Sequence, residues 1–320
     1  MLLAFKEIDG RLQPLGKDEP LSAALWIDLF RPTPDEVAAV RAFNVEVPTL
    51  EDMQEIEISN RLYRDGGTDY LTVIMTAHHH DDEGLSAPVT FILRQGLLVT
   101  ARHERSRPFE TYPMRAEKVG PGCANANRIF LSLVEECIGR LADHLEAVGR
   151  ALDEVARAAY QPTKARMKQA ALEAGLRRVG RSGEFLGMIR LALLTLNRAL
   201  GFYAHTEHER QGDEGLEKVL AQLVKDLMDL EVHSDFLSGR VQLASDAALG
   251  IINLEQTATT RIVSVVAVLF LPPTLIASVY GMNFQMMPEL AQPWGYPAAV
   301  GLMLASALGA WGWMKWHNWL

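Results

Sequence analysis

Oxygen-bearing side chains recur at three- and four-residue intervals near the C-terminal end of this sequence: Asn253, Thr257, Thr260, Ser264 and, past Ala267 and Leu271, Thr274 and Ser278, with Asn283 just beyond. On an α-helix that spacing stacks them in one column. Uncharged amide and hydroxyl oxygens in a column suit a strongly hydrated cation, which sheds its water reluctantly and can be held through its shell. The same spacing suits hydroxyls that bond back to their own helix or join helix pairs, so the residues alone leave both readings open. As the wall of a conduit the column requires a symmetric ring of subunits, because two helices cannot enclose a water-filled path. Leu271 and Ala267 would then form an apolar constriction that gates by dewetting. Pro272 and Pro273 free backbone carbonyls at the same level.

Other chemistry-bearing residues are fewer. The run His78-His79-His80-Asp81-Asp82 carries imidazoles, which suit Zn2+ or Ni2+, but alternating side chains of a strand cannot all converge on one ion, and a polar loop ending a strand explains the run as well. Cys123 and Cys137 lie in no metal or redox spacing and are expected to be free thiols. No glycine-rich phosphate loop follows a strand, and no Gly-x-Ser-x-Gly elbow occurs, so an NTPase or α/β-hydrolase reading has no support, and a non-enzymatic protein is expected. A formal charge of -9, from 31 Lys and Arg against 40 Asp and Glu, disfavours a nucleic-acid partner. Cations are the expected charged partners.

The elements that must position the column are legible from the distribution of charge. Beyond Arg261 the only formal charges besides His317 are Glu289 and Lys315, which leaves residues 262–280 and 296–314 as two uncharged stretches of 19. Each spans roughly 28 Å as a helix, about one bilayer core. Trp294, Tyr296, Trp311, Trp313, Trp316 and Trp319 cluster at the ends of the second stretch, where amphipathic rings favour the headgroup layer. The 15 residues of 281–295 join the two as a hairpin. Arg261 and Lys315 flank it on one side and the joining loop has no Lys or Arg, which predicts two spans of the inner membrane, with residues 1–261 and the tail 315–320 cytoplasmic. Met1 to Phe5 opens no long apolar run, so no cleavable signal peptide is expected.

Residues 1–124 read as a cytoplasmic α+β domain. Strands are predicted at 24–29, 70–76, 89–93 and 97–100, the last two joined across Arg94, Gln95 and Gly96, and helices at 33–43, opened by Thr33 and Pro34, and 48–55. Residues 125–215 read as a helical hairpin: one helix before Pro162, a second from Thr163 to near Leu200, and a turn at 201–215. From Leu216 no break stronger than Gly239 or Gly250 occurs before Tyr280. One long helix, a stalk at 216–261 continuing into the first span, is therefore expected, against an alternative of two helices with a turn at either glycine.

The run Tyr280-Gly281-Met282-Asn283, followed by Met287-Pro288-Glu289-Leu290, Trp294-Gly295-Tyr296-Pro297 and a chain ending Asn318-Trp319-Leu320, closely resembles the CorA family of divalent-cation channels, as does Phe270-Leu271-Pro272-Pro273-Thr274. The resemblance is strong over residues 240–320 and weaker over the α+β part. It implies a homopentamer in the lipid bilayer, with a funnel-shaped cytoplasmic domain and passive Mg2+ influx, Co2+ and Ni2+ also being accepted. It implies a selectivity filter at Gly281, Met282 and Asn283 and an external loop containing Glu289. Pore positions fall on Thr257, Thr260, Val263, Ala267, Leu271 and Thr274, close to the column read from spacing. It also implies cytoplasmic Mg2+ sensing by acids between subunits, which suggests Asp246, with Asp226, Asp81 and Asp82 as further candidates. Family members often carry a basic tail, whereas Met314-Lys315-Trp316-His317 has one lasting charge. Two alternatives remain: a Zn2+ transporter of the related zinc branch, and a membrane-tethered sensor without flux.

Overall fold

A computed structural model describes residues 1–16, 18–79, 82–160, 165–209, 214–282, 287–288, 292–317 and 319; side chains are described for these except at 58, 78–79, 82–85, 158–160, 165–172, 207–209, 214 and 255. In chain order the elements are β1 (Leu2–Ile8), β2 (Arg11–Pro14), β3 (Trp26–Phe30), α1 (Pro34–Arg41), α2 (Leu50–Gln54), α3 (Ile58–Arg61), β4 (Leu62–Asp65), β5 (Thr68–His79), β6 (Asp82–Arg94), β7 (Leu97–Arg102), α4 (Arg107–Arg115), α5 (Ala126–Tyr160), α6 (Ala165–Glu209), α7 (Glu214–Tyr280) and α8 (Gly295–Trp316). They form two units, Met1–Ser245 and Asp246–Leu320.

The first unit is built on a seven-stranded sheet in the order β2-β1-β3-β7-β6-β5-β4, in which β3 and β7 pair in parallel and the other neighbours are antiparallel. Three of its links are two-residue hairpins, at Asp9-Gly10, Gly66-Gly67 and Gln95-Gly96. Both residues of the first two hairpins have positive φ, a conformation that Gly and Asp tolerate and that matches the twist of the flanking strands. Thr33 opens α1 and Thr49 opens α2 with reciprocal caps, each accepting from the third helical amide while Glu36 or Asp52 reaches back.

Side-chain alternation along the strands divides the core in two. Trp26, Phe91, Leu93 and Leu98 face α4, α5 and α6, whereas Ile27, Leu29, Ile92 and Val99 pack with Val40 and Val45 on the other face. The larger core runs through a chain of rings, Phe91 to Phe130 at 5.2 Å and Phe130 to Tyr203 at 5.0 Å. Arg102 and Asp28, both almost fully buried, pair across β7 and β3 at 2.8 Å; Thr100 donates to the same carboxylate, and the Arg102 guanidinium lies over Phe30 and Phe109. Thr195 of α6 accepts from the Ile74 amide at 3.0 Å and so ties the helix to the middle of β5.

One expectation is corrected. The turn anticipated from Gly201 is helical as far as Glu209. Tyr203 and Thr206 are buried there, and Arg64 of β4 donates to the Thr206 carbonyl at 3.2 Å, so packing outweighs the roughly 1 kcal/mol that a single glycine costs a helix. The α7 helix runs unbroken through Gly239, Gly250, Pro272 and Pro273 for 67 residues.

Within the second unit, the tail that follows α8 turns so that the Trp319 amide donates to the Met314 carbonyl at 3.0 Å, and the Trp313 and Trp319 rings lie 6.2 Å apart. Trp319 also stands beside Asn253, Thr260 and Ser264 of α7, so α8 returns antiparallel to α7 and its C-terminal end lies level with the start of the uncharged stretch.

Candidate ion pathway

The column read from spacing lies along one side of α7. Asn253, Thr257, Thr260, Val263, Ala267, Leu271, Thr274 and Ser278 are exposed and Ser264 is half-buried. The half-buried residues Val265, Leu269, Pro272, Pro273 and Ile276 take the opposite side at 100° per residue, so the column is turned away from most of the packed face of its own helix, Val268 alone lying at its margin. Three of its hydroxyls bond to their own backbone: Thr257 donates to Asn253 at 2.8 Å, Ser264 to Thr260 at 2.9 Å and Thr274 to Phe270 at 2.7 Å. Back-bonding uses the hydroxyl hydrogen and leaves the oxygen lone pairs pointing outward. A hydrated cation presents water hydrogens, and those lone pairs are what its shell needs. The two readings left open by spacing are therefore compatible. Pro272 and Pro273 lack the amides that would bond the Val268 and Leu269 carbonyls.

At its lower end the column borders a groove of about 690 Å3 lined by Asn253, Gln256, Thr257, Thr260, Arg261, Ser264 and Trp319. Gln256, Arg261 and Trp319 did not figure among the residues expected there. Stepping from Asn253 by four to Thr257 passes over Gln256, one position away on the same face, and Trp319 is joined to the groove only by the return of α8. At the upper end Gly281 closes α7 by donating to the Ala277 carbonyl at 2.9 Å. A Cβ at Gly281 would stand 3.2 Å from that oxygen, so a larger residue would push against the last turn. Met282 is half-exposed at 49%. Asn283, Glu289 and Asp81 lie outside the described residues, as do His80 and the side chains of His78, His79 and Asp82; the backbones of His79 and Asp82 pair across the β5–β6 hairpin.

The two candidate acids whose side chains are described, Asp226 and Asp246, stand apart. Asp226 accepts from Gln222 at 2.7 Å and faces Glu135 of α5, whose carboxyl is raised above its ordinary range by burial first and by Asp226 and Glu136 after it. Asp246 is exposed on α7, 20 residues further on, about 30 Å along the helix. Among the described residues no three His, Cys, Asp or Glu side chains converge as a metal cage.

Among the described residues three helical stretches are long and apolar enough to cross a membrane: Glu173–Thr206, Gly215–Tyr280 and Gly295–Trp316. In the first, 44% of the most apolar window is buried, with Ile189, Leu193, Leu196 and Leu200 packed in the larger core of the first unit. In the other two, 0% and 11% are buried, and Ile262, Phe270, Leu275, Leu304 and Leu308 are each more than 60% exposed. Length and composition treat the three alike; burial separates them. Apolar side chains exposed on this scale need lipid or another protein surface.

The family model described as CorA-like Mg2+ transporter protein matches residues 22–315. The chain belongs to the CorA family. A CorA relative, the magnesium transport protein CorA of Escherichia coli (strain K12), is 34% identical over 325 residues, with all of both chains covered. Among solved structures, the complete CorA magnesium transporter from Methanocaldococcus jannaschii superposes with a TM-score of 0.75 at 15% identity, covering 100% of this chain and 99% of that one. The α+β domain, long helices and apolar C-terminal helices are thus the CorA fold. The ZntB cytoplasmic domain from Vibrio parahaemolyticus also shares that fold, with a TM-score of 0.54 at 13% identity over 78% of this chain and 97% of its own.

Proposed function

We propose that copies of this chain assemble as a ring, a pentamer by family resemblance, through which hydrated Mg2+ passes down its electrochemical gradient, Co2+ and Ni2+ being accepted as well. In this reading residues 262–280 and 296–314 span the inner membrane, 281–295 lie outside, and 1–261 with 315–320 lie in the cytoplasm. The observation that carries it is the exposed oxygen column on α7, turned away from that helix's packed side inside an uncharged membrane-length stretch. Each copy contributes one column, and together the columns line the axis. Gly281, Met282 and Asn283 form the outer filter, where the Asn283 amide holds the ion's water shell, with Glu289 in the loop beside it. Below them an oxygen ring at Thr274 is followed by three apolar rings at Leu271, Ala267 and Val263 and then by oxygen rings at Thr260 and Thr257. The Leu271 ring controls wetting.

Asp246, exposed on α7, is the first candidate for the cytoplasmic sensor, with Asp226, Asp81 and Asp82 after it. Because one chain gathers no three-carboxylate site among its described residues, the sensing ion bridges neighbouring subunits. Its charge cancels repulsion between facing carboxylates and holds the ring closed. The test is Mg2+ influx into liposomes containing the purified chain and a trapped Mg2+-sensitive dye. Dye response under an inward gradient, unaffected by collapsing proton and sodium gradients, is expected. No flux would leave a membrane-tethered sensor, and Zn2+ flux without Mg2+ flux would move the chain to the zinc branch.

A further inference from the structure

Within the first unit, α7 is gripped unevenly. Between Leu216 and Leu230 it buries Leu216, Leu223 and Leu227 in the larger core, with Val219, Leu220 and Leu230 packed against them. Between Glu231 and Ser245 only Ser234 and Leu237 are buried. Ser234 stands on the same face as Leu230 and Leu237, four residues after the one and three before the other. It has no exposed surface, and its hydroxyl makes no hydrogen bond among the described residues. A hydroxyl buried without a partner disfavours the docked state by about fivefold or more.

Polar contacts at the surface supply what this part of the apolar seam lacks. Arg190 of α6 pairs with Asp235 at 2.8 Å and donates to the Ser238 hydroxyl at 3.2 Å, and Arg240 of α7 pairs with Asp153 of α5 at 2.5 Å. Two glycines let the helices come close enough to make these contacts. A Cβ on Gly183 would stand 3.2 Å from Val241 Cγ1, and one on Gly149 would stand 3.8 Å from Leu237 Cδ2. Exposed ion pairs strengthen a contact by at most about fivefold each, and salt screens them. Few buried apolar side chains, a buried hydroxyl that opposes docking and solvent-exposed ion pairs together place a segment at the low-stability end of a fold.

We propose that α7 carries a latch: residues 234–241 detach from the α5–α6 hairpin in local openings that leave residues 216–230 docked. The Arg190 and Arg240 pairs hold the latch, and the Ser234 hydroxyl keeps it weak. All of these residues lie in the first unit, so the latch does not depend on ion conduction.

The full chain in detergent is made with one reporter, Leu237→Cys, or with Leu227→Cys as the matched control below the latch. It is labelled with N-ethylmaleimide, an uncharged thiol reagent, and peptide masses separate either reporter from the buried Cys123 and Cys137. Labelling at 237 is expected to be at least about tenfold faster than at 227. Arg190→Ala together with Arg240→Ala should speed labelling at 237 at least about threefold, and Ser234→Ala should slow it at least about threefold, neither changing the rate at 227. Equal rates at the two reporters, or variants that move both rates alike, overturn the latch, because the opening is then global. If a leucine replacement prevents folding, Ser234→Cys, which conserves shape, becomes the reporter and Cys137 the control. A thiol at 234 no more reactive than Cys137 overturns the latch as well.

Discussion

Single side chains carry two kinds of consequence here, for conduction and for the fold beneath it. In the proposed pore, Asn283→Ala removes the amide that holds the hydrated ion. Selective Mg2+ flux into liposomes should be abolished while oligomer mass in detergent stays unchanged; parental flux from that variant would remove Asn283 from the filter. In the first unit the buried pair Asp28 and Arg102 is the polar group with most at stake. Arg102→Met leaves the Asp28 carboxylate buried without its cation, which costs about 3–5 kcal/mol. The denaturation midpoint of the full chain should fall accordingly, and Asp28→Asn added to Arg102→Met should recover much of the loss. Glu135 gives a pH signature. Its carboxyl is raised above 4.5 by burial, with Asp226 and Glu136 adding to the effect, so the folded chain holds that proton more tightly than the unfolded one. Its contribution to stability is full below the unfolded value and is lost as pH rises through the raised one. Glu135→Gln should be more stable than the parent at neutral pH and should flatten the pH dependence above 4.5; an unchanged profile would refute the assignment.

Elements were legible in the sequence where a pattern was long or a punctuation mark strong. The α7 helix is the clearest case, because a stretch with no turn cluster and no proline before Pro272 gives two isolated glycines little power to break it. The strands β1, β2 and β4 were not read, although Asp9-Gly10 and Gly66-Gly67 announce two of the hairpins that make them. The edge strands β2 and β4 are four residues long with one side unpaired, and β1, though paired on both sides, buries the consecutive residues Ala4 and Phe5 and so shows no clean alternation. The end of α6 was misplaced for the opposite reason: the turn-like composition after Gly201 is local, whereas Tyr203 is held by Phe130, 73 residues earlier in the chain. Glycine also matters where helices cross. A Cβ on Gly183 would stand 3.2 Å from Val241 Cγ1, so α6 approaches α7 there by virtue of a missing side chain. Gly183→Val should cost about 1–3 kcal/mol through overpacking, read as a lower denaturation midpoint, whereas Gly180→Ala, open to solvent, should be neutral or stabilising.

At the scale of the whole molecule, the column of the candidate pathway was readable from spacing because helical periodicity is a local property, whereas its surroundings were not. Which side of α7 packs, and that Trp319 returns to the column's lower end, depend on residues far apart in sequence. The proposed regulation is further removed still, because Asp226 and Asp246 stand 20 residues apart on α7, about 30 Å along the helix, and the sensor proposed above is completed only by a second copy. That separation leads to a prediction about assembly rather than about one chain. If facing Asp246 side chains share an ion across the subunit seam, Asp246→Ala removes both the repulsion that opens the ring and the ion that closes it. The variant should lose its response to internal Mg2+ rather than its conductance. Influx into liposomes preloaded with rising Mg2+ should shut down in the parent and continue in Asp246→Ala, with initial rates in empty liposomes agreeing within about twofold, well below the roughly five- to 150-fold range typical of coupling between sites. Asp246→Asn, which keeps the shape and removes the charge, should behave like the Ala variant if the carboxylate acts through bound cations. An Asn variant that still closes would assign the sensing to another acid.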